Sequence, residues 1–324
     1  MARIGFAGSK TTTGECIERF IRDGFSVDLL VTLTPDLGAR HEVAGYADLR
    51  PFAAERGIDV YHPRTYTLND ADDRAALLAQ RIDCLLVIGW QRLIPQWWLE
   101  SLAFGAFGMH GSHERLPRGR GRSPLNWALA WGKTSFQTSL FRYDAGVDSG
   151  AIVGTQRFDI TPWDDCETLH FKNALSMNAL LRDHLADILA GRDVYTPQPT
   201  DIEPTYLPKR TPEHGRIRWS EMDMLALHNH IRCQTRPFPG AFSHLDGSHD
   251  RFFFWRGQPF DTHLTYSDAR PGTVAEVFHD GSFLVAVWDG TVRVEDYTIE
   301  HRRTAPAVGS RFVDEPLNSP TART

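Results

Sequence analysis

Two side chains in this sequence have the types needed to move a proton near neutral pH, His110 and Asp148. His110 closes the short apolar strand expected over Ala106–Met109, and Gly111-Ser112 leaves its ring room at a strand end. Ligands of open α/β sheets favour that rim. Asp148 follows 38 positions later in the turn Asp144-Ala145-Gly146-Val147-Asp148-Ser149-Gly150. An aspartate facing a histidine can fix its tautomer and stabilise the imidazolium form. Between them, Arg115, Arg118, Arg120 and Arg122 alternate with Gly119 and Gly121 to make a basic, flexible loop before a helix expected at Pro124–Trp131. Such a loop, with the helix N-terminus, can hold an anion. Each piece also has a plain structural meaning: a satisfied histidine, a turn-forming aspartate, a solvated basic face.

The elements that must position these residues alternate between strand and helix. Arg3–Ala7, Val27–Leu33 and Asp83–Ile88 are apolar runs of the kind that form buried parallel strands. Helical stretches at Thr13–Asp23, Tyr46–Arg56 and Asp70–Gln80 separate them, and this rhythm predicts a parallel sheet with helices on its faces. Gly5, Gly8 and Gly14 punctuate the first turn without forming GxGxxG, so a dinucleotide is not expected. Ser135–Tyr143 and Ala151–Ile160 read as two strands around the aspartate turn. A long helix is expected to start within Thr161-Pro162-Trp163-Asp164-Asp165, with Phe171, Ala174, Met177, Leu181, Leu185 and Ile188 forming its core face and Gly191 its stop.

Pro197, Pro199, Pro204 and Pro208 mark a connector, placing a boundary between domains at 1–205 and 206–316. Beyond it come a helix at Met222–Gln234 and short β runs at Phe252–Trp255, Gly272–Phe278, Ser282–Trp288 and Thr291–Tyr297. Asp289-Gly290 signals a hairpin, and a small barrel or sandwich is the natural architecture. The tail Leu317–Thr324 is polar and expected to lack order.

The net charge of −6 argues against a nucleic-acid partner, and no apolar run reaches the length of a membrane span. The four scattered cysteines form no CxxC or Cys/His ligand pair and suit a reducing cytoplasmic setting. No HExxH-type cluster supports a metal site.

Several motifs in chain order resemble the N10-formyltetrahydrofolate-dependent formyltransferase family, including methionyl-tRNA and sugar N-formyltransferases. They are Gly108-Met109-His110-Gly111-Ser112, Leu116-Pro117, Arg120-Gly121, Pro124-Leu125-Asn126-Trp127 and Asp148-Ser149-Gly150. Gly89-Trp90-Gln91-Arg92-Leu93-Ile94-Pro95 is similar to the family's folate-site loop, and Ala54–Ile58 to an upstream helix end. Leu227-His228-Asn229 and Pro237–Phe242 resemble the hinge into its OB-like barrel. Within the family, the likeness is greatest to the domain that formylates UDP-4-amino-4-deoxy-arabinose.

The resemblance implies an α/β fold: a Rossmann-like N-terminal domain with a mostly parallel sheet, then a small C-terminal OB-like β-barrel. It implies transfer of a formyl or related one-carbon group from N10-formyltetrahydrofolate, or another reduced folate, to an amine of a small molecule. A nucleotide-linked amino sugar is one such acceptor, and a homodimer is admitted as the assembly. His110 and Asp148 take the acid/base roles; Gly89, Trp90, Arg92, Leu93 and Ile94 hold the cofactor. Ser112, Arg120, Arg122 and Pro124 are assigned to substrate.

Two departures stand out. Gly108 occupies the family's asparagine position, the one that hydrogen-bonds the formyl oxygen. Losing one oxyanion donor costs about 3 kcal/mol, roughly a hundredfold in rate. Read from the sequence, Gly108 enlarges the space beside His110, which admits a different transferred unit. The alternative is a catalytically altered or inactive homologue that binds folate or substrate for regulation. The second departure, His113-Glu114-Arg115, lengthens the following loop by two residues; His113 is expected to be an exposed side chain rather than a donor.

Overall fold

The computed structural model describes residues 2–43, 45–264, 266, 269–300 and 306–315. The tail 317–324 lies outside them. The chain forms two compact units: residues 1–121, 136–158 and 171–206 in the first, and 122–135, 159–170 and 207–324 in the second.

The strands up to the connector are β1 (Ile4–Ala7), β2 (Leu29–Val31), β3 (Asp59–Tyr61), β4 (Cys84–Val87), β5 (Gly105–Ser112), β6 (Arg120–Gly121), β7 (Ser135–Arg142), β8 (Ile152–Asp159) and β9 (Tyr206–Leu207). The helices are α1 (Thr11–Arg22), α2 (Pro35–Arg40), α3 (Arg50–Glu55), α4 (Ala71–Ala79), α5 (Gln96–Leu99), α6 (Pro124–Ala130) and α7 (Cys166–Leu189). Seven strands form one sheet in the order β3-β2-β1-β4-β5-β7-β8. Pairing is parallel from β3 through β5, and β7 joins β5 antiparallel.

Strand periodicity explains why β1 and β4 read as unbroken apolar runs. Alternate side chains point to opposite faces, and here both faces are covered. Phe6, Leu30, Leu86 and Phe107 pack with Ile17 and Phe20 of α1 and with Leu181 and Leu185 of α7. Ala7, Val31, Leu85 and Val87 pack on the other face with Leu77 of α4, Trp98 of α5, Trp90 and Ile94.

Some expected boundaries move. Strand β5 does not end at Met109; it continues through His110 to Ser112 because β7 supplies a partner as far as Gln137. The parallel partner β4 stops earlier, at Val87 opposite Gly108. Residues 109–112 therefore keep a pairing partner on one side after losing it on the other. Helix α7 begins at Cys166 rather than in the 161–165 segment. Asp165 Oδ1 accepts the Thr168 N–H at 2.8 Å, and Thr168 Oγ1 accepts the Asp165 N–H at 2.9 Å, a reciprocal cap that fixes the start. Ala174, Met177, Leu181, Leu185 and Ile188 are buried as expected, whereas Phe171 is half exposed. The helix expected over 46–56 shrinks to α3, since Pro51 is tolerated only in a first turn.

In the second unit, α8 (Met224–Arg232) precedes β10 (Ala241–Leu245), β11 (Phe252–Asp261), β12 (Val274–Val277), β13 (Phe283–Val287), β14 (Gly290–Ile299) and β15 (Phe312–Val313). They order as β12-β13-β14-β11-β10-β15. The outer strands meet again through Val274 N–H to Ser310 O and Phe312 N–H to Gly272 O, both 2.8 Å. The sheet thus curls into a small barrel. Its core is aromatic, with Trp219, Phe252, Phe254, Phe283 and Phe312 in contact and Ile231 of α8 beside them. The Asp289-Gly290 hairpin joins β13 to β14 as its sequence predicts.

Candidate active site

His110 lies on β5, just past the point where β4 ends, with only 9% of its side chain exposed. Its Nε2 is 2.7 Å from the carbonyl oxygen of Gly119. A carbonyl only accepts, so Nε2 carries the proton. In the neutral ring Nδ1 then bears the lone pair, and that atom faces Asp148 Oδ2 at 3.4 Å. A lone pair opposite a carboxylate has room for one proton, the arrangement a general acid/base pair requires.

The two anchors of this pair are fixed in turn. Gly119 has φ +73°, and a Cβ there would lie 1.9 Å from Ser112 Oγ, so the turn that presents its carbonyl to His110 admits only glycine. Its N–H donates to Thr205 Oγ1 at 2.8 Å. Asp148 is a non-glycine residue at φ +52°, and its Oδ2 accepts the Gly121 N–H at 3.2 Å. Gln198 holds the strained turn through its Nε2, which donates to the carbonyls of Asp148 (2.8 Å) and Gly150 (2.9 Å). Its Oε1 accepts from Arg120 at 2.7 Å.

Arg120 is buried and engaged with Gln198 and, at 3.3 Å, with the Tyr206 hydroxyl. Sequence reasoning misses Gln198 and Thr205. They sit in the Pro-containing connector, where nothing in residue type or spacing distinguishes them from linker.

Gly108 and His110 are two apart on β5 and so share a face. The space beside Gly108 is not enlarged, contrary to the sequence reading. A Cβ built there would lie 2.1 Å from Cε2 of Tyr143 and 2.7 Å from its hydroxyl oxygen. The tyrosine ring fills the room that a side chain at 108 would take. Burial, and after it the negative charge of Asp148, push the Tyr143 phenol well above its usual ionisation range, so it remains a hydrogen-bond donor.

The 89–94 loop leaves the end of β4. Trp90 and Ile94 belong to the apolar core, with Trp90 edge-on to Tyr66 at 4.8 Å. The Trp90 indole N–H is buried without an acceptor among the described residues. Arg92 stacks over Tyr66 at 4.7 Å, Leu93 is exposed, and Gly89 turns the chain at φ +80°. Ser112 is buried, its Oγ accepting the Glu114 N–H at 3.0 Å. The His113 ring is not exposed, contrary to expectation: only 8% of it is accessible, and Glu114 lies 3.8 Å away. Arg122 and Pro124 belong to the second unit, and Pro124 starts α6.

All four cysteines are free and buried, and burial pushes the Cys16 and Cys84 thiols up to about 12. Among the described residues no group of three or more His, Cys, Asp or Glu could hold a metal ion. No described helix is long and apolar enough to cross a membrane.

The chain resembles solved structures at low identity. It matches HypX from Aquifex aeolicus in complex with tetrahydrofolic acid at 18% identity and TM-score 0.61, over 93% of this chain but only 44% of that protein, less than half its length. It matches an N-formyltransferase from Helicobacter canadensis, solved with folinic acid and dTDP-3-aminofucose, at 16% identity and TM-score 0.62, over 92% of this chain and 100% of that one. WlaRD, a sugar 3N-formyl transferase solved with dTDP and 5-N-formyl-THF, gives 17% identity and TM-score 0.63, over 94% and 99%. Family models for the formyl transferase domain and the formyl transferase C-terminal domain match residues 8–181 and 209–309. On the extent of those two matches, the chain belongs to the formyl transferase family.

Proposed function

We propose that this enzyme transfers a formyl group from a reduced folate, N10-formyltetrahydrofolate, to the amine of a nucleotide-linked sugar. The observation that carries the reading is the His110–Asp148 pair, oriented by Gly119 and with room for one proton across 3.4 Å. Two of the structures that the chain spans nearly end to end are a sugar formyl transferase and an N-formyltransferase, both solved with folates and thymidine nucleotides.

Gly89, Trp90, Arg92, Leu93 and Ile94 would hold the folate, which supplies the formyl carbon. The buried Trp90 N–H, lacking an acceptor among the described residues, fits a polar ligand there. A C–N bond forms from the amine to the formyl carbon and the C–N bond to the folate breaks. One proton leaves the amine and one is delivered to the departing folate nitrogen. His110, steadied by Asp148, takes the first and can return it as the second. Ser112, Arg120, Arg122 and Pro124 are the residues assigned to substrate by resemblance. For Arg120 the reading changes: held by Gln198, it positions the Asp148 turn. Ser112 likewise shapes the Gly119 turn, and Arg122 and Pro124 remain assigned to substrate.

A small-molecule acceptor suits the net charge of −6, since tRNA binding favours a basic surface. Four buried thiols suit a cytoplasmic enzyme. A homodimer and a domain division at 205/206 belong to the same proposal, read out by sedimentation and limited proteolysis.

The test is incubation of the enzyme and N10-formyltetrahydrofolate with a panel of nucleotide-linked amino sugars, followed by mass measurement. One sugar should gain a formyl in place of hydrogen. Folate binding with no transfer to any amine would favour a regulatory homologue instead.

A further inference from the structure

Acyl transfer needs a donor for the oxygen on which negative charge builds, and Gly108 has no side chain to provide one. The proposed function therefore requires a donor from elsewhere, and this inference rests on that reading.

Tyr143 is placed to supply it. Residue 143 follows β7, and its N–H donates to Ala106 O at 2.8 Å, which seats it against β5. Phe141, two residues before it, pairs with Gly108, so Tyr143 shares the face of β5 that carries Gly108 and His110. Neighbours on one face of a strand are about 7 Å apart. The phenol oxygen is 2.7 Å from where the Cβ of residue 108 would stand. An asparagine amide nitrogen at 108 would lie about 2.4 Å from its own Cβ, from bonded lengths of about 1.5 and 1.3 Å. The hydroxyl is thus at the radius an amide donor on residue 108 would occupy, reached from the neighbouring strand.

Two further observations point to a ligand. Among the described residues, no hydrogen bond joins the Tyr143 hydroxyl to a protein group. The ring stands against Gly108, two residues from His110 on the same face of β5, which sets the phenol on the side of the sheet that carries the acid/base histidine. A partly buried phenol without a protein partner is a donor held ready.

We infer that Tyr143 is a catalytic residue, its hydroxyl hydrogen-bonding the formyl oxygen in place of a side chain at position 108. The glycine and the tyrosine are then one unit. The glycine leaves the volume that the ring needs, and the ring restores the donor that the glycine lacks.

Tyr143→Phe is the decisive variant, because it keeps the ring and removes only the hydroxyl. Two measurements are made on it. The first is kcat and KM for formyl transfer: kcat should fall about 100-fold or more, with KM for the amine nearly unchanged. The second uses no turnover. Without amine, the wild type should bind N10-formyltetrahydrofolate several-fold tighter than tetrahydrofolate, about the value of one neutral hydrogen bond. Tyr143→Phe should bind the two equally. A kcat within about twofold of wild type overturns the inference. So does a lost kcat with the binding preference intact, which assigns Tyr143 to packing. If the wild type formylates no amine, the proposed function fails; the inference then stands or falls on whether Tyr143→Phe abolishes the preference.

Discussion

The interiors of the two units are built on different principles. The barrel core is nearly all hydrocarbon, with Phe252 in ring contact with Phe254, Phe283 and Phe312, and Trp219 making its N–H bond to Ser243. The first unit, at the end of β5, buries polar groups instead: His110, Ser112, Arg120 and Gln198. Buried polar groups are costly unless satisfied, and each of these is tied to a residue distant in sequence or to a turn. On the proposed function, the contrast separates residues that hold the protein together from residues that serve the reaction. Substitutions in the barrel should cost stability, and substitutions at the end of β5 should cost turnover.

The largest separation is expected at His110. His110→Ala should reduce kcat by about 10²- to 10⁴-fold, the range for a positioned general acid/base, while the melting temperature barely moves. Steady-state kinetics beside a thermal melt reads both. Conversely, Phe252→Ala should destabilise the barrel by about 3–5 kcal/mol, read by urea denaturation. An unchanged unfolding midpoint would show that the aromatic core is not what stabilises that unit.

Gly108→Asn blurs the two categories and so sharpens them. With Tyr143 in place, the new Cβ meets the ring at 2.1 Å. Overpacking of this kind costs about 1–3 kcal/mol, and the displaced ring should abolish activity. A variant that is both stable and more active would show that the tyrosine ring does not occupy that space in solution.

A comparable loss is expected from acid in the second unit. Burial lowers His230 to about 4, against an ordinary 6.5, and its Nε2 donates to Gly215 O at 3.1 Å. The unfolded chain therefore binds this proton first. Stability is undiminished above about pH 6.5, falls as pH drops from there to about 4, and levels off below, for a loss of about 3 kcal/mol. His230→Gln should flatten that part of a stability-against-pH curve, and an unaltered slope would assign it to other groups. At the small end stands Trp163, 85% exposed. Trp163→Ala should change stability by no more than about 0.5 kcal/mol.

Much of the fold is legible in the sequence because burial leaves a pattern. Strands covered on both faces cannot be read by alternation, yet β1 and β4 stand out as short apolar segments between helices. The three-residue strand β3 is too short to carry a period. In the site, His110 and Asp148 are identified by motif, and the structure brings them together. Gln198, Thr205 and Tyr143 cannot be found that way. Their roles depend on long-range contacts, across 50 residues for Gln198 and Asp148, that no local pattern encodes. Gly108 reads as a loss in the sequence because the volume that replaces its side chain comes from Tyr143, just past the end of β7.

The central claim is that His110 and Asp148 act as one proton-handling unit in formyl transfer. The most direct measurement is a double-mutant cycle on kcat with His110→Ala, Asp148→Asn and both together, using N10-formyltetrahydrofolate and the acceptor amine that the mass measurement identifies. Residues acting as a unit are non-additive, so the double variant should be within about threefold of the worse single one. Losses that multiply, with both singles folded, would contradict it.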